Sequence, residues 1–278
     1  MDVPRLLLSG VGFGESPRWH NGRLWFSDWR AREVVTVDLA GDREVVTCMS
    51  TFPFSLDWLP DGRLLIVSSE LRRQEPDGAW VMHADLSDLG AAWNEIVVDG
   101  RGNAYVNQAG FDLMSGAQPS SGTIALATPD GVAREVADGV WFPNGMTVTP
   151  DNSTLIVAES YRNRLTAFDI DEGGGLSNRR VWAELESDVP DGICMDAEGA
   201  IWYADVPNRH CVRVQEGGEV LQTITVDRGC FSCALGGPDG RTLFIVAAEW
   251  RGPEHMFQGE RSGQVLAVDV ACARAGYP

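Results

Sequence analysis

Four oxygen-bearing side chains and two phenyl rings occupy one recurring position in this chain of 278 residues. Glu15, Asn94, Asn144 and Asp191 each open a short stretch that runs toward a turn, and Phe54 and Phe231 hold the matching place in two others. Carboxylates gathered in a low-dielectric channel repel one another and rise in pKa, and a divalent cation removes that penalty. Oxygen donors from Asp, Glu and Asn, without His or Cys, suit a hard cation. Ca²⁺ comes first, then Mg²⁺ and Mn²⁺, with Zn²⁺ the poorest match. The two phenyl rings would form an apolar wall for a substrate. Such side chains also cap backbone groups at turns, and for one isolated pair that reading would win. Four of them in one column point to a site.

The elements that position this column repeat six times. A turn signal precedes a short apolar run at Asn21-Gly22 (Leu24-Trp25-Phe26), Asp61-Gly62 (Leu64-Leu65-Ile66) and Gly100–Gly102 (Ala104-Tyr105-Val106). The pattern returns at Asp151-Asn152 (Leu155-Ile156-Val157), Glu198-Gly199 (Ile201-Trp202-Tyr203) and Asp239-Gly240 (Leu243-Phe244-Ile245). The starts fall roughly 40 to 50 residues apart, the period of propeller blades. Stretches 34–39, 165–170, 211–214 and 265–270 alternate as further strands. Ahead of each turn lies another strand, 15–19, 54–58, 94–98, 144–148, 191–195 and 231–235, and the first position of each is the column above. The expectation is an all-β, six-bladed β-propeller forming a single domain over 1–278, with the column ringing its central axis. A β-sandwich with irregular insertions is the competing architecture. Closure would pair residues near 5–8 with the last unit, and a short turn is expected around 85–92.

Composition excludes several functions. Acidic residues outnumber basic ones 40 to 22, a formal charge of −18, which repels nucleic-acid phosphates and anionic lipid. Every basic residue is arginine, so Schiff-base chemistry and a phosphate-loop lysine are out of reach. The only apolar run near the start is Leu6 to Leu8, too short for a signal or a membrane span. With no export signal read, the six cysteines are expected to be reduced thiols, in a cytoplasmic protein acting on a small molecule as a monomer or small homo-oligomer.

Three segments make a resemblance specific. Glu15-Ser16-Pro17-Arg18-Trp19, Pro143-Asn144-Gly145-Met146 and Pro190-Asp191-Gly192-Ile193 resemble the metal-binding signatures of the gluconolactonase/regucalcin (senescence-marker) family, which includes the luciferin-regenerating enzymes. The similarity extends over 99–106, Gly229-Cys230-Phe231, Cys233-Ala234-Leu235-Gly236-Gly237 and the terminal Gly276-Tyr277-Pro278. It implies a six-bladed propeller with one axial divalent cation and an activity on lactones or related esters. By position it implies Glu15, Asn144 and Asp191 as metal ligands, with Asn94 contacting substrate or metal-bound water. Three departures stand out: Asn94-Glu95 replaces the usual Asn-Asp pair, Ala92 replaces a sugar-binding arginine, and Asn107 replaces a common glycine. A less polar lactone or ester is therefore at least as good a fit as a sugar lactone.

The expected chemistry is hydrolysis by a metal-activated water, with Asp191 as both ligand and general base. Phe54, Phe231, Asn107 and Trp141 join Asn94 as expected substrate contacts. The long segments 107–122 and 248–263 should lie at the pocket mouth. Cys230-x-x-Cys233 lacks any partner pair and reads as buried thiols, and Ser16 reads as structural. No Gly-x-Ser-x-Gly elbow or paired histidine motif occurs. A phosphotriesterase-like hydrolase on the same cation and a non-catalytic metal- or ligand-binding propeller are the alternatives.

Overall fold

The computed structural model describes residues 3–276, so Tyr277 and Pro278 of the terminal motif lie outside it. Its strands form six four-stranded antiparallel sheets, the expected six-bladed β-propeller. Blade 1 consists of Gly14–His20, Arg23–Asp28, Glu33–Val37 and Arg43–Cys48. Blades 2 to 6 begin with Ser55–Trp58, Glu95–Val98, Pro143–Val148, Pro190–Met195 and Gly229–Gly236. The N-terminal strand Arg5–Val11 completes blade 6 by pairing with Gly263–Asp269, with Arg5 opposite Ala267 and Val11 opposite Gly263. All six blades carry third and fourth strands, where the sequence showed a third strand in four of them. Around 85–92 the chain makes a turn closed by bonds from the Leu89 and Gly90 amides to the Leu86 carbonyl.

The core lies between the blades. Each of the six neighbouring pairs shares its own apolar cluster among the described residues. Between blades 2 and 3, for example, Leu65, Val67 and Leu71 meet Trp93, Ile96 and Val98. Burying each such aliphatic side chain contributes about 1.5–3 kcal/mol. Near the axis the blades of the second half converge on glycine. A Cβ on Gly192 would stand 1.9 Å from Ser232 Oγ, and one on Gly145 would stand 2.4 Å from the Ile193 nitrogen.

Topology fixes which segments share a face. Every first strand starts on one face of the disc and every second strand returns to it. The connection from second to third strand therefore lies beside the heads of the first strands, and the Asx-Gly turns lie on the opposite face. Segments 108–122 and 248–263 are both second-to-third connections, which puts them above Glu15, Asn144 and Asp191 as expected.

Candidate metal centre

Glu15, Asn144 and Asp191 stand at the heads of their strands, each at a β-bulge. Glu15 pairs with Ser27 but Arg18 with Trp25, Pro143 with Glu159 but Met146 with Val157, and Pro190 with Asp205 but Ile193 with Tyr203. An extra residue of this kind bends the strand and re-aims the side chain beside it. Blades 2 and 3, which carry Phe54 and Asn94, keep regular registers. In blade 1 the bulge forces Ser16 to a φ of 51°. Its hydroxyl accepts from the Leu56 amide at 3.2 Å and donates to the Leu56 carbonyl at 3.4 Å, the structural role expected of it.

The ring is short of partners. Glu15 Oε2 and Asp191 Oδ1 are buried with no hydrogen-bond partner. Asn94 Nδ2 donates to Asn144 Oδ1 at 3.2 Å, and Ser160 Oγ, 3.5 Å from Asn144 Nδ2, donates to the Pro190 carbonyl at 2.7 Å. Burial, followed by the charges of Asp191 and Glu95, pushes Glu15 well above the ordinary carboxylate range. Burial, then Glu95, Asp205 and Cys233, does the same to Asp191. An unpartnered buried polar atom costs about 1–3 kcal/mol, and more when charged. Two starved carboxylate oxygens and a carboxamide oxygen therefore fit a hard divalent cation held by Glu15, Asn144 and Asp191.

The remaining expected contacts divide. Phe231 is 5% exposed and packs in the same apolar cluster as Phe54. Phe54 is wholly buried, its carbonyl accepting a 2.6 Å bond from Trp29 Nε1. Asn107 is also wholly buried, donating at 2.7 Å to the Asn144 carbonyl. Both thus stand behind the ring. Trp141 lies under the Arg162 guanidinium, 4.5 Å from its ring centre, in a groove with Ser160, Tyr161 and Val189. Cys211, Cys230 and Cys233 are buried and unbridged.

Below the ring is a charged layer that the column did not reveal. Arg18 donates to the Ile96 carbonyl at 2.7 Å and stands 3.9 Å from Asp57 and 3.7 Å from Glu95. Burial outweighs Arg18 in both partners, raising Asp57 to about 6 and Glu95 to about 7. Without a cation, the native state therefore keeps protons that the unfolded chain loses above about pH 4.5. Where the native state binds more protons, unfolding free energy falls as pH rises. The chelated protein's thermal midpoint is accordingly expected to fall between about pH 5 and about pH 7, and Ca²⁺ to flatten that slope. Melting curves across that range, with chelator and with Ca²⁺, check it.

Blades 1, 4 and 5, which carry Glu15, Asn144 and Asp191, each also have a buried acid at the end of the second strand. Asp28 accepts from the Gly12 and Phe13 amides at 2.8 and 3.1 Å. Glu159 accepts from the Trp141 amide at 2.8 Å, and Asp205 from the Val189 amide at 2.8 Å. These amides lie two or three residues ahead of Glu15, Asn144 and Asp191, so the acids fix the segments that lead to these three residues. Burial would raise Glu159, but bonds from Thr166, the Trp141 amide and Arg164 together hold it below its usual value. Asp188 and His210 join Asp205 in a tight cluster of possible ligand atoms. There Asp188 is already bonded by Tyr203 Oη at 2.7 Å, His210 Nε2 at 3.0 Å and Asn208 Nδ2 at 3.1 Å. That cluster is a clamp on the segment before Asp191, with its oxygens spoken for.

Two aromatic groups flank the ring on its open face. Phe13 meets Phe231 with centroids 4.4 Å apart, and Trp250 stands 5.6 Å from Phe231. Phe111 of the 108–122 segment meets Phe142 at 5.6 Å, and Phe142 stacks on Tyr161 at 4.6 Å.

Known proteins resemble this chain in sequence and fold. The family model described as SMP-30/Gluconolactonase/LRE-like region matches residues 13–249. Regucalcin of Xenopus laevis is 26% identical over 248 residues, covering 84% of this chain and 83% of its own. Among solved structures, a calcium-binding regucalcin from Agrobacterium tumefaciens superposes with a TM-score of 0.84 at 23% identity, covering 100% of this chain and 97% of the other. A gluconolactonase from Xanthomonas campestris superposes at 0.77 with 22% identity, covering 96% and 89%. With most of its length, the strands that carry Glu15, Asn144 and Asp191 included, inside the matched region, the chain belongs to the SMP-30/gluconolactonase/LRE-like family.

Proposed function

We propose that this protein is a divalent-cation-dependent hydrolase that opens a lactone, a sugar lactone or a less polar lactone or ester. The observation that carries this reading is the pair of buried, unpartnered oxygens, Glu15 Oε2 and Asp191 Oδ1, at strand heads that match that of Asn144. A cation bound there polarises a carbonyl and acidifies a water; Ca²⁺ suits the all-oxygen donor set. The chain's own residues do the rest. Asp191 has two carboxylate oxygens, so one can serve as ligand while the other accepts the proton of the attacking water. Water adds to the carbonyl carbon, the ring C–O bond breaks, and the proton passes to the leaving alkoxide. The bond from the Asn94 amide to Asn144 supports a role for Asn94 in orienting the substrate. The Phe13 and Phe142 groups keep bulk water from the ring.

The test is turnover on a panel of sugar, aliphatic and aromatic lactones after chelation and after restoring single metals. Hydrolysis that disappears on chelation and returns with one cation is the expected result. If chelation lowers only the melting temperature and no lactone or ester is hydrolysed with any metal, the cation is structural and the protein is a binding propeller.

A further inference from the structure

We infer that the lactone opened here carries a carboxylate, and that Arg162 receives it in a groove between the entries to Asn144 and Asp191; this rests on the hydrolase reading above. The groove, open and of about 430 Å³, is lined by Trp141, Ser160, Tyr161, Arg162, Asn163 and Val189. No acid lines it, in a chain whose formal charge is −18. Residues 160–163 connect the second and third strands of blade 4, so they lie on the face that holds the heads of the first strands. Trp141 stands three residues before Asn144, and Val189 two before Asp191. Ser160 joins the groove to the ring. Its hydroxyl lies 3.5 Å from Asn144 Nδ2 and donates to the carbonyl of Pro190, the residue before Asp191.

The groove is stiff. Phe142 is held at a φ of 50°, which a bulky side chain rarely adopts. Its surroundings keep it there: the Ser160 amide donates to the Phe142 carbonyl at 3.2 Å, and the Tyr161 amide to the Trp141 carbonyl at 3.4 Å. Asn163 Nδ2 ties the same turn to the Asp188 carbonyl at 2.8 Å. Strain maintained in this way clusters at binding and active sites. Within the groove one charge is uncommitted. Arg164 and Arg179 are spent on Glu159, but the Arg162 guanidinium lies over the Trp141 ring and, among the described residues, has no carboxylate or carbonyl partner. A mobile, exposed guanidinium adds less than about fivefold to the binding of a carboxylate. One stacked on an aromatic face has lost much of that freedom already, and the edge of its planar fork is left to make two parallel bonds. The acidic surface works against any approaching anion, so this arginine decides whether one is accepted.

The experiment compares kcat/KM, at saturating Ca²⁺, for γ-carboxy-γ-butyrolactone and γ-methyl-γ-butyrolactone, one ring bearing a carboxylate or a methyl group. Because the two rings differ in intrinsic reactivity, the readout is the change in their ratio between proteins. Arg162→Gln should cut the carboxylate-to-methyl ratio about tenfold, through KM, and Arg162→Lys should keep part of it. Arg162 is exposed, and melting curves of both variants check that they fold. Binding of tetrahydrofuran-2-carboxylate, which has the ring and the anion but no ester, reads the same contact without turnover; followed by ligand-observed NMR, it should weaken by the same factor in Arg162→Gln. A ratio that stays within a factor of about two in Arg162→Gln, or anion binding that survives the substitution, overturns this inference and leaves the hydrolase reading intact. So does a wild type that opens neutral lactones and not the carboxylate one. No turnover of any lactone or ester overturns both readings together.

Discussion

Asp191→Asn should abolish lactone hydrolysis, a loss of about 10³-fold or more, and in the same variant raise the stability of the chelated protein. The two effects have opposite signs because one carboxylate serves the cation and costs the fold. Asp191 is 9% exposed, its Oδ1 has no hydrogen-bond partner, and burial and neighbouring acids raise its pKa. Removing that charge relieves about 1–3 kcal/mol of desolvation and repulsion, and a large domain gains about 2–4 °C for each kcal/mol. With Ca²⁺ present the order reverses, since the wild type gains binding energy that the variant has lost. Melting curves with chelator and with Ca²⁺, read beside turnover, give four values for the two proteins. Near-normal turnover with metal bound would remove Asp191 from the role of base. A chelated variant less stable than chelated wild type would show that the carboxylate is not a burden without its cation.

The ring was legible because it belongs to strands whose pattern is strict. First and second strands are buried on both faces, so their apolar runs and flanking Asx-Gly turns stand out, and six repeats align themselves. The fourth strands left little trace. Arg43–Cys48 and Val220–Thr225 are outer edges, mostly exposed, where alternation is not enforced. Phe54 shows the limit of a column argument. Its position follows the repeat, yet without a bulge to swing it inward it stays in the blade 1–blade 2 core. Asn107, expected from the resemblance and not from the column, belongs to a second strand, where it braces Asn144. Arg18, Asp57 and Glu95 went unread as a unit because they meet across three blades at separations of 39 and 77 residues from Arg18, which no local pattern registers. Asp28, Glu159 and Asp205 could have been found. Aligning the second strands as the first were aligned puts an acid at the end in blades 1, 4 and 5, and Ser68, Gln108 and Ala247 in the others.

That alignment carries the remaining large effect. Asp205→Asn, and in parallel Asp28→Asn, should weaken Ca²⁺ binding by about 10–100-fold, the usual scale for groups that orient metal ligands. Asn can still accept one bond from the Val189 amide, but its NH₂ sets a donor where Asp205 Oδ1 and Oδ2 now accept from Asn208 as well. The segment leading to Asp191 then loses its clamp, and the site loses a buried negative charge that Asp191 feels. Ser68→Ala is the control, because Ser68 holds the equivalent segment of blade 2 through a 2.7 Å bond to the Pro53 carbonyl and that blade contributes no ligand. Calorimetric titration of Ca²⁺ into all three variants separates position from stability. If the acids only hold the fold, the melting temperatures fall while the dissociation constants stay within a factor of about two of wild type. If they place the ligands, affinity falls in the two acid variants and is retained in Ser68→Ala, whatever the order of the melting temperatures.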